Sequence, residues 1–74
     1  MTKEQAKIIM AFAKNDMKPK HAAKQVHRTT ENFRYHLKKI SREMGWNPQK
    51  FFDLCYLVGI AQQRLGGKHE SDSV

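Results

Sequence analysis

The chain has 74 residues, which fits one small domain, and carries 14 lysines and arginines against 7 aspartates and glutamates. The resulting net charge of +7 predicts an anionic partner, with nucleic acid ahead of an acidic membrane surface and of a basic surface that binds nothing. The single cysteine, Cys55, excludes an intrachain disulfide, and no apolar run approaches the roughly 18 residues of a membrane span. Without a secretion-signal pattern, we expect a cytoplasmic protein associated with the nucleoid.

The first predicted helix begins after Thr2, which stands three residues before Gln5 at the spacing of a capping box. An apolar stripe follows at helical spacing, formed by Ile8, Ile9, Phe12 and Ala13. Asn15-Asp16 ends this helix. A second, short helix is predicted from Pro19, a good first-turn residue, and carries the small side chains of Ala22 and Ala23.

The third predicted helix starts at Thr29 or Thr30, both natural N-caps, and ends near Met44 because Gly45 is a C-cap signal. One face of it is an apolar stripe made of Phe33, Leu37, Ile40 and Met44. The opposite face carries Glu31, Arg34, Tyr35, Lys38 and Arg42. A short alanine-bearing helix directly before such a helix is typical of a helix-turn-helix, whose second helix enters the DNA major groove.

The fourth helix is predicted to begin at Asn47-Pro48, as N-cap and first turn, and to stop at Gly66-Gly67. Its predicted core face comprises Phe51, Leu54, Val58, Ala61 and Leu65. The other side is also apolar or small, which predicts a homodimer through Phe52, Tyr56, Gly59, Ile60 and Gln63. Such a dimer would hold two recognition helices about one DNA turn apart. Alternatively, helix 1 or the N-terminus covers these residues within one chain.

The predicted fold class is therefore all-α, a four-helix helix-turn-helix domain over residues 1–66 with a disordered tail over 67–74. The third helix is the expected recognition helix and the fourth the expected dimer helix.

The segment AAKQVHRTTENFRYHLKKISREMGWNPQKFFDLCYLVGIA resembles the C-terminal DNA-binding domain of PucR/CdaR-type transcription regulators, which reads TA+xLxxHRNTLxYRLxRIxxxTG followed by FxD. The matching residues are Ala23, Val26, Phe33, Arg34, Tyr35, Leu37, Lys39, Ile40, Gly45, Phe51 and Asp53. The LuxR-type pattern TVxxHLxxIxxKLG is similar too, through Asn32-Phe33, His36-Leu37, Ile40, Met44 and Gly45. Both resemblances imply a helix-turn-helix that binds double-stranded DNA.

The chain departs from the first family at the start of the recognition helix. Thr29-Thr30-Glu31-Asn32 stands where that family has HRNT, so the arginine and asparagine expected near the base edges are absent. Arg28 replaces the usual apolar residue of the turn. We therefore expect this chain to share the fold of that family more closely than it shares the family's DNA target sequence.

Candidate DNA contacts divide into two groups. The base-reading candidates are Thr30, Glu31, Arg34, Tyr35 and Lys38, with arginine suited to guanine O6 and N7. The phosphate-contact candidates are Lys20, Lys24, Arg28, Thr29 and Arg42. For Glu31 the alternatives are acceptance from cytosine N4 and simple complementarity to the helix dipole. His36 flanks the core face and is expected to be structural.

No carboxylate pair, nucleophile with a base, or phosphate-cradling glycine loop occurs, so the sequence predicts neither an enzyme nor a small-molecule ligand or cofactor. The four histidines have no cysteine at zinc-finger spacing, and no metal site is expected. The leading hypothesis is a sequence-specific double-stranded DNA-binding protein, a small transcription regulator that inserts helix 30–44 into the major groove. The alternatives are a protein-interaction adaptor or anti-repressor on the same scaffold, and charge-driven binding of any nucleic acid.

Overall fold

A computed structural model describes the backbone of residues 1–73 and the side chains of residues 1–66. This part of the chain contains four helices and no strand: α1 (Lys3–Lys14), α2 (Pro19–Gln25), α3 (Thr30–Met44) and α4 (Phe51–Ser73). The predicted all-α, four-helix architecture is confirmed. None of the described helices is long and apolar enough to span a membrane.

The helix ends follow the chemistry of their capping residues. Thr2 and Gln5 form a reciprocal capping box, each accepting the other's backbone N–H with its side-chain oxygen at 3.0 Å. At α3, the Thr29 hydroxyl oxygen accepts from the Asn32 N–H at 3.0 Å. Gly45 ends α3 in the left-handed region at φ 79°, where a side chain would be strained.

The core lies around α1, which packs against all three other helices. Ile8, Ile9 and Phe12 of α1 are 0–2% exposed, and the Phe12 and Phe33 rings meet with their centroids 6.0 Å apart. The small side chains of Ala22 and Ala23 are fully buried, which lets α2 approach α1 and α3 closely. In the described part of the chain, no Cα atom of α2 or α3 lies within 8 Å of one in α4, so α1 is the helix whose backbone lies next to all three others.

The predicted start of the fourth helix is wrong by one turn, because α4 begins at Phe51. Asn47 instead organises a separate turn: its side-chain oxygen accepts from the Gln49 N–H and its carbonyl accepts from the Lys50 N–H. The Asp53 carboxylate then accepts the Asn47 N–H at 2.9 Å and ties this turn to the first turn of α4. The backbone leaves helical geometry at Gly66, where the sequence predicts the helix to end, but α4 continues beyond this kink to Ser73. The predicted disordered tail, residues 67–74, lies outside the described side chains and stays a prediction.

The predicted core face of α4 is partly wrong. Leu54 and Ala61 are buried and Val58 is half-buried, as expected, but Phe51 is 61% and Leu65 40% exposed. Leu57, absent from the predicted set, is fully buried. The face that meets α1 is therefore rotated toward Leu57 and away from Phe51.

Candidate nucleic-acid interface

The short connection between α2 and α3 sets the position of the candidate recognition helix. His27 takes left-handed backbone angles at φ 60°, a conformation that histidine tolerates better than most side chains. The Arg28 N–H donates to the Ala23 carbonyl at 2.9 Å, which closes the turn onto the end of α2. Because Ala22 and Ala23 are buried beneath this turn, α3 is held in a fixed relation to α2.

Burial separates the two faces of α3. Phe33, Leu37 and Ile40 are each 0% exposed, so the helix cannot rotate about its axis without uncovering them. On the opposite side Arg34, Lys38 and Arg42 are exposed, and we call these three residues the basic face. The spacing of four residues places them in one row along the helix.

The other base-reading candidates lie close to this row. Glu31 is exposed, Tyr35 is 53% exposed, and Thr30 is half-buried. The Tyr35 ring packs edge-on against the ring of His36, with centroids 5.4 Å apart, which orients the tyrosine side chain. All five predicted base-reading residues therefore belong to one helix, and four of them are open to a partner.

Two grooves border the basic face. The first, of about 430 Å³, is lined by Phe12, Met17, Pro19, Arg34, Lys38 and Gln49. The second, of about 360 Å³, is lined by Lys38, Ser41, Arg42, Asn47 and Gln49. Lys38 and Gln49 line both, so they stand where the grooves meet.

Sequence reasoning missed Gln49. It is exposed, and its backbone N–H donates to the Asn47 side chain at 2.9 Å, which fixes the turn that carries it beside Lys38. Helical periodicity gives no information on a residue that lies in a connection between helices. The Asn-Pro pair at 47–48 does predict a turn, and a turn that directly follows α3 lies beside that helix.

Arg28, predicted to contact phosphate, has partners within the chain. Its guanidinium forms an ion pair with Glu4 of α1, donates to the Asn32 side chain at 2.6 Å, and lies 3.3 Å from His36 Nε2. These partners engage both terminal nitrogens of the guanidinium, and the phosphate contact stays a prediction. We call Arg28, Glu4, Asn32 and His36 the Arg28 network.

His36 takes a structural position, as expected, half-buried at the edge of the core. Burial, with smaller contributions from the nearby charges of Arg28 and Lys39, lowers the pKa of His36 below its ordinary value of 6.5. A neutral imidazole is able to accept a hydrogen bond from Arg28 through Nε2, so the low pKa and the network support each other.

The remaining phosphate candidates are accessible. Lys20 and Lys24 on α2 are exposed, and Arg42 is exposed near the end of α3. Thr29 is exposed at the start of α3, where its oxygen accepts from Asn32 while its own O–H stays able to donate.

The predicted dimer residues of α4 also lie at the surface. Phe52 is 83% and Tyr56 51% exposed, Gly59 and Gln63 are exposed, and Ile60 is half-buried. The alternative expectation, that helix 1 or the N-terminus covers this side, is wrong for Phe52 and Tyr56. Trp46 stacks on Tyr56 with centroids 4.3 Å apart and extends the aromatic surface.

Within the described residues, no three side chains of the metal-binding types lie close enough together to hold an ion. No family model, curated protein or solved structure matches this chain.

Proposed function

We propose that this protein binds double-stranded DNA in a sequence-specific manner, as a small transcription regulator whose α3 enters the major groove. The observation that carries the proposal is the basic face: Arg34, Lys38 and Arg42 are exposed in one row, directly opposite three fully buried residues. The buried side fixes the orientation of the helix, and the exposed side offers donors to an anionic partner.

Cations on both α2 and α3 support the same docked orientation of the protein on DNA. Lys20 and Lys24 belong to α2, which packs against α3 and precedes it by one short turn. In a helix-turn-helix the first helix crosses the DNA backbone while the second lies in the groove. Phosphate neutralisation by α2 and base contacts by α3 are thus compatible in one docked position.

Roles within the basic face follow from side-chain chemistry. Arg34 has the planar fork that bonds guanine O6 and N7 in a bidentate manner, and Lys38 supplies a mobile point charge beside it. Tyr35, held by His36, is suited to a phosphate or a thymine methyl group. Glu31 repels phosphate and therefore favours a position over cytosine N4 rather than over the DNA backbone.

A second candidate function is a protein-interaction adaptor or anti-repressor that does not bind DNA. The observation in its favour is the exposed aromatic surface of Phe51, Phe52 and Tyr56 on α4. The two functions differ in their response to DNA, so one titration separates them.

The test is a titration of duplex DNA at several salt concentrations, with a random-sequence duplex and a duplex enriched from a random pool. Three to five cation contacts predict a log–log slope of about −3 to −5, and specific binding predicts an affinity ratio of at least about 10³ between the duplexes. The same steep slope without an affinity ratio would mean that charge alone drives binding. Absence of binding at low salt would favour the adaptor.

Arg34→Ala sharpens this test at a single position. The loss of a bidentate base contact is expected to cost about 1–3 kcal/mol on the enriched duplex and to relax the preference at one base pair. Lys24→Ala should weaken binding on every sequence and flatten the salt slope by about one contact. Arg64→Ala on α4, which removes the same charge from an exposed position, is the matched control and should change the affinity little. If Arg34→Ala and Lys24→Ala behave alike on all sequences, Arg34 is not a base reader.

A further inference from the structure

One side of α4 is an uncovered stripe that the DNA-binding proposal does not use. Phe52, Tyr56, Gly59 and Gln63 recur at intervals of three and four residues, and we call them the α4 outer face. Phe52 is 83% and Tyr56 51% exposed, and Gly59 and Gln63 are exposed. A row at this spacing is the ridge that packs into the groove of another helix.

This face itself carries little charge. Between Phe51 and Gln63 the only charged residue is Asp53, and the exposed cations Lys50 and Arg64 lie directly beyond the two ends of that span. The Asp53 carboxylate is already engaged, since it accepts the Asn47 N–H at 2.9 Å. The cations of the basic face belong to α3, and within the described residues no Cα atom of α3 lies within 8 Å of one in α4. A second copy with the same charge of +7 therefore meets less electrostatic repulsion at the α4 outer face than at the basic face.

Gly59 has no explanation within the single chain. It lies inside α4, where glycine is less favourable than any residue except proline, and its backbone does not need a positive φ. A Cβ atom built at Gly59 has no described atom within 4 Å, so no neighbouring segment of the chain requires the missing side chain. Close approach of another backbone would account for it, as small residues do where two helices cross.

From these three observations we propose that the protein forms a homodimer in which two α4 helices cross at Gly59, related by a two-fold axis. On such an axis each residue meets its own counterpart or a symmetry-exchanged partner, so Gly59 faces Gly59 and the Phe52 and Tyr56 rings flank the crossing. An acidic partner would find no cation on this face, whereas a second copy offers a matching neutral aromatic surface.

The available area fits an interface of this kind. The exposed parts of Phe52, Tyr56 and Trp46 amount to on the order of 400 Å² in each copy, from typical aromatic side-chain areas. A standard stable interface buries about 800 Å² per partner, so these three aromatic side chains supply about half of it. The dimer proposal does not depend on DNA binding. Formation of the dimer leaves the basic face of both copies open.

Sedimentation equilibrium across the micromolar range tests the proposal. The wild-type protein should associate to a dimer, and Phe52→Ser should weaken the association at least about tenfold because it removes an exposed ring from the centre of the contact. Leu65→Ser is the matched control, since Leu65 is also an exposed apolar residue of α4 but lies off the outer face. Equal weakening by both variants would contradict the α4 outer face as the contact.

Gly59→Ala supplies a second test that does not depend on a loss of fold. In the Phe52→Ser background, where the chain is expected to be monomeric, the added methyl group should raise the Tm by about 4–8 °C through helix propensity. In the otherwise wild-type chain the same methyl group should weaken the dimer at least about tenfold, because it separates the crossing backbones. A substitution that stabilises the monomer and weakens the dimer would establish the crossing point.

Two results would overturn the proposal. One is a wild-type protein that stays monomeric at high micromolar concentration, including the case in which it binds vesicles of anionic lipid through α4. The other is a dimer whose dissociation constant is unchanged by Gly59→Ala, which would place the contact elsewhere.

Discussion

Arg28 shows how one side chain holds the start of α3. Its guanidinium joins Glu4 at the start of α1 to Asn32 and His36 on α3. Arginine suits this position because its fork offers several donors in a fixed geometry. The Arg28 network thus secures α3 from the side of α1, next to the residues by which this chain departs from the PucR/CdaR-type pattern.

His36 gives the Arg28 network a measurable pH dependence. The pKa of His36 is lowered in the folded protein, mainly by burial and then by Arg28 and Lys39, whereas the unfolded chain keeps a pKa near 6.5. Below pH 6.5 the unfolded state therefore binds a proton that the folded state resists. The stability that neutral His36 contributes to the folded protein is therefore fully present above pH 6.5. It is lost as the pH falls through the pKa of His36 in the folded state.

We expect urea unfolding to show lower stability at pH 5 than at pH 7.5, with part of that loss absent in His36→Gln. Glutamine keeps a side-chain acceptor for Arg28 but does not titrate, so the comparison isolates the imidazole. His21→Gln, at an exposed position of α2, is the control for the loss of an imidazole elsewhere in the chain. A His36→Gln profile that coincides with the wild-type profile would show that His36 does not contribute.

At the scale of elements, α4 packs chiefly against α1. Within the described residues no Cα atom of α4 lies within 8 Å of one in α2 or α3, and the buried side of α4 consists of Leu54, Leu57 and Ala61. The contact between α1 and α4 is the most extensive one between two helices in the described part of the chain. The stability of the fourth helix therefore rests mainly on this apolar contact.

Leu57→Ala is expected to destabilise the protein by about 2–5 kcal/mol, because Leu57 is fully buried and its removal leaves a cavity against α1. Leu65→Ala, at a 40% exposed position of the same helix, should cost no more than about 0.5 kcal/mol. Urea unfolding followed by circular dichroism and by Trp46 fluorescence measures both, since Trp46 stacks on Tyr56 of α4. A cost below about 1 kcal/mol for Leu57→Ala would mean that α4 is not held by this contact.

At the scale of the whole molecule, the two proposed surfaces belong to different helices. The basic face belongs to α3 and the α4 outer face to α4, and within the described residues no Cα atoms of these two helices approach within 8 Å. One chain is therefore able to offer a cationic helix to DNA and a neutral helix to a second copy at the same time. A two-fold dimer of this kind reads two half-sites of opposite orientation.

The two proposals together predict the symmetry of the target. Duplexes enriched from a random pool by the wild-type protein should contain an inverted repeat, and those enriched by Phe52→Ser should contain one half-site bound more weakly. The reason is that a two-fold protein matches a two-fold site, while a monomer contacts one half of it. A single asymmetric motif enriched by both proteins would support DNA binding and would contradict the dimer.

Local signals in the sequence were sufficient for most helix boundaries. Thr2 with Gln5, Pro19, Thr29 and Gly45 mark helix ends through hydrogen bonds or backbone angles within a few residues, and the structure has them in those roles. The two faces of α3 were predictable for the same reason, because a strong contrast between apolar and charged residues leaves one orientation that buries the apolar side.

What only the tertiary structure decided depends on partners distant in the chain. α4 is apolar on more than one side, so its own periodicity does not show which side meets α1. In the structure Leu57 is buried and Phe51 is exposed. Arg28 pairs with Glu4, 24 positions earlier in the chain, and the 47–50 turn brings Gln49 beside Lys38. The sequence by itself determined the helices and the charged face of α3, because those follow from neighbouring residues. The tertiary structure decided which apolar face of α4 stays open, because that depends on where α1 lies.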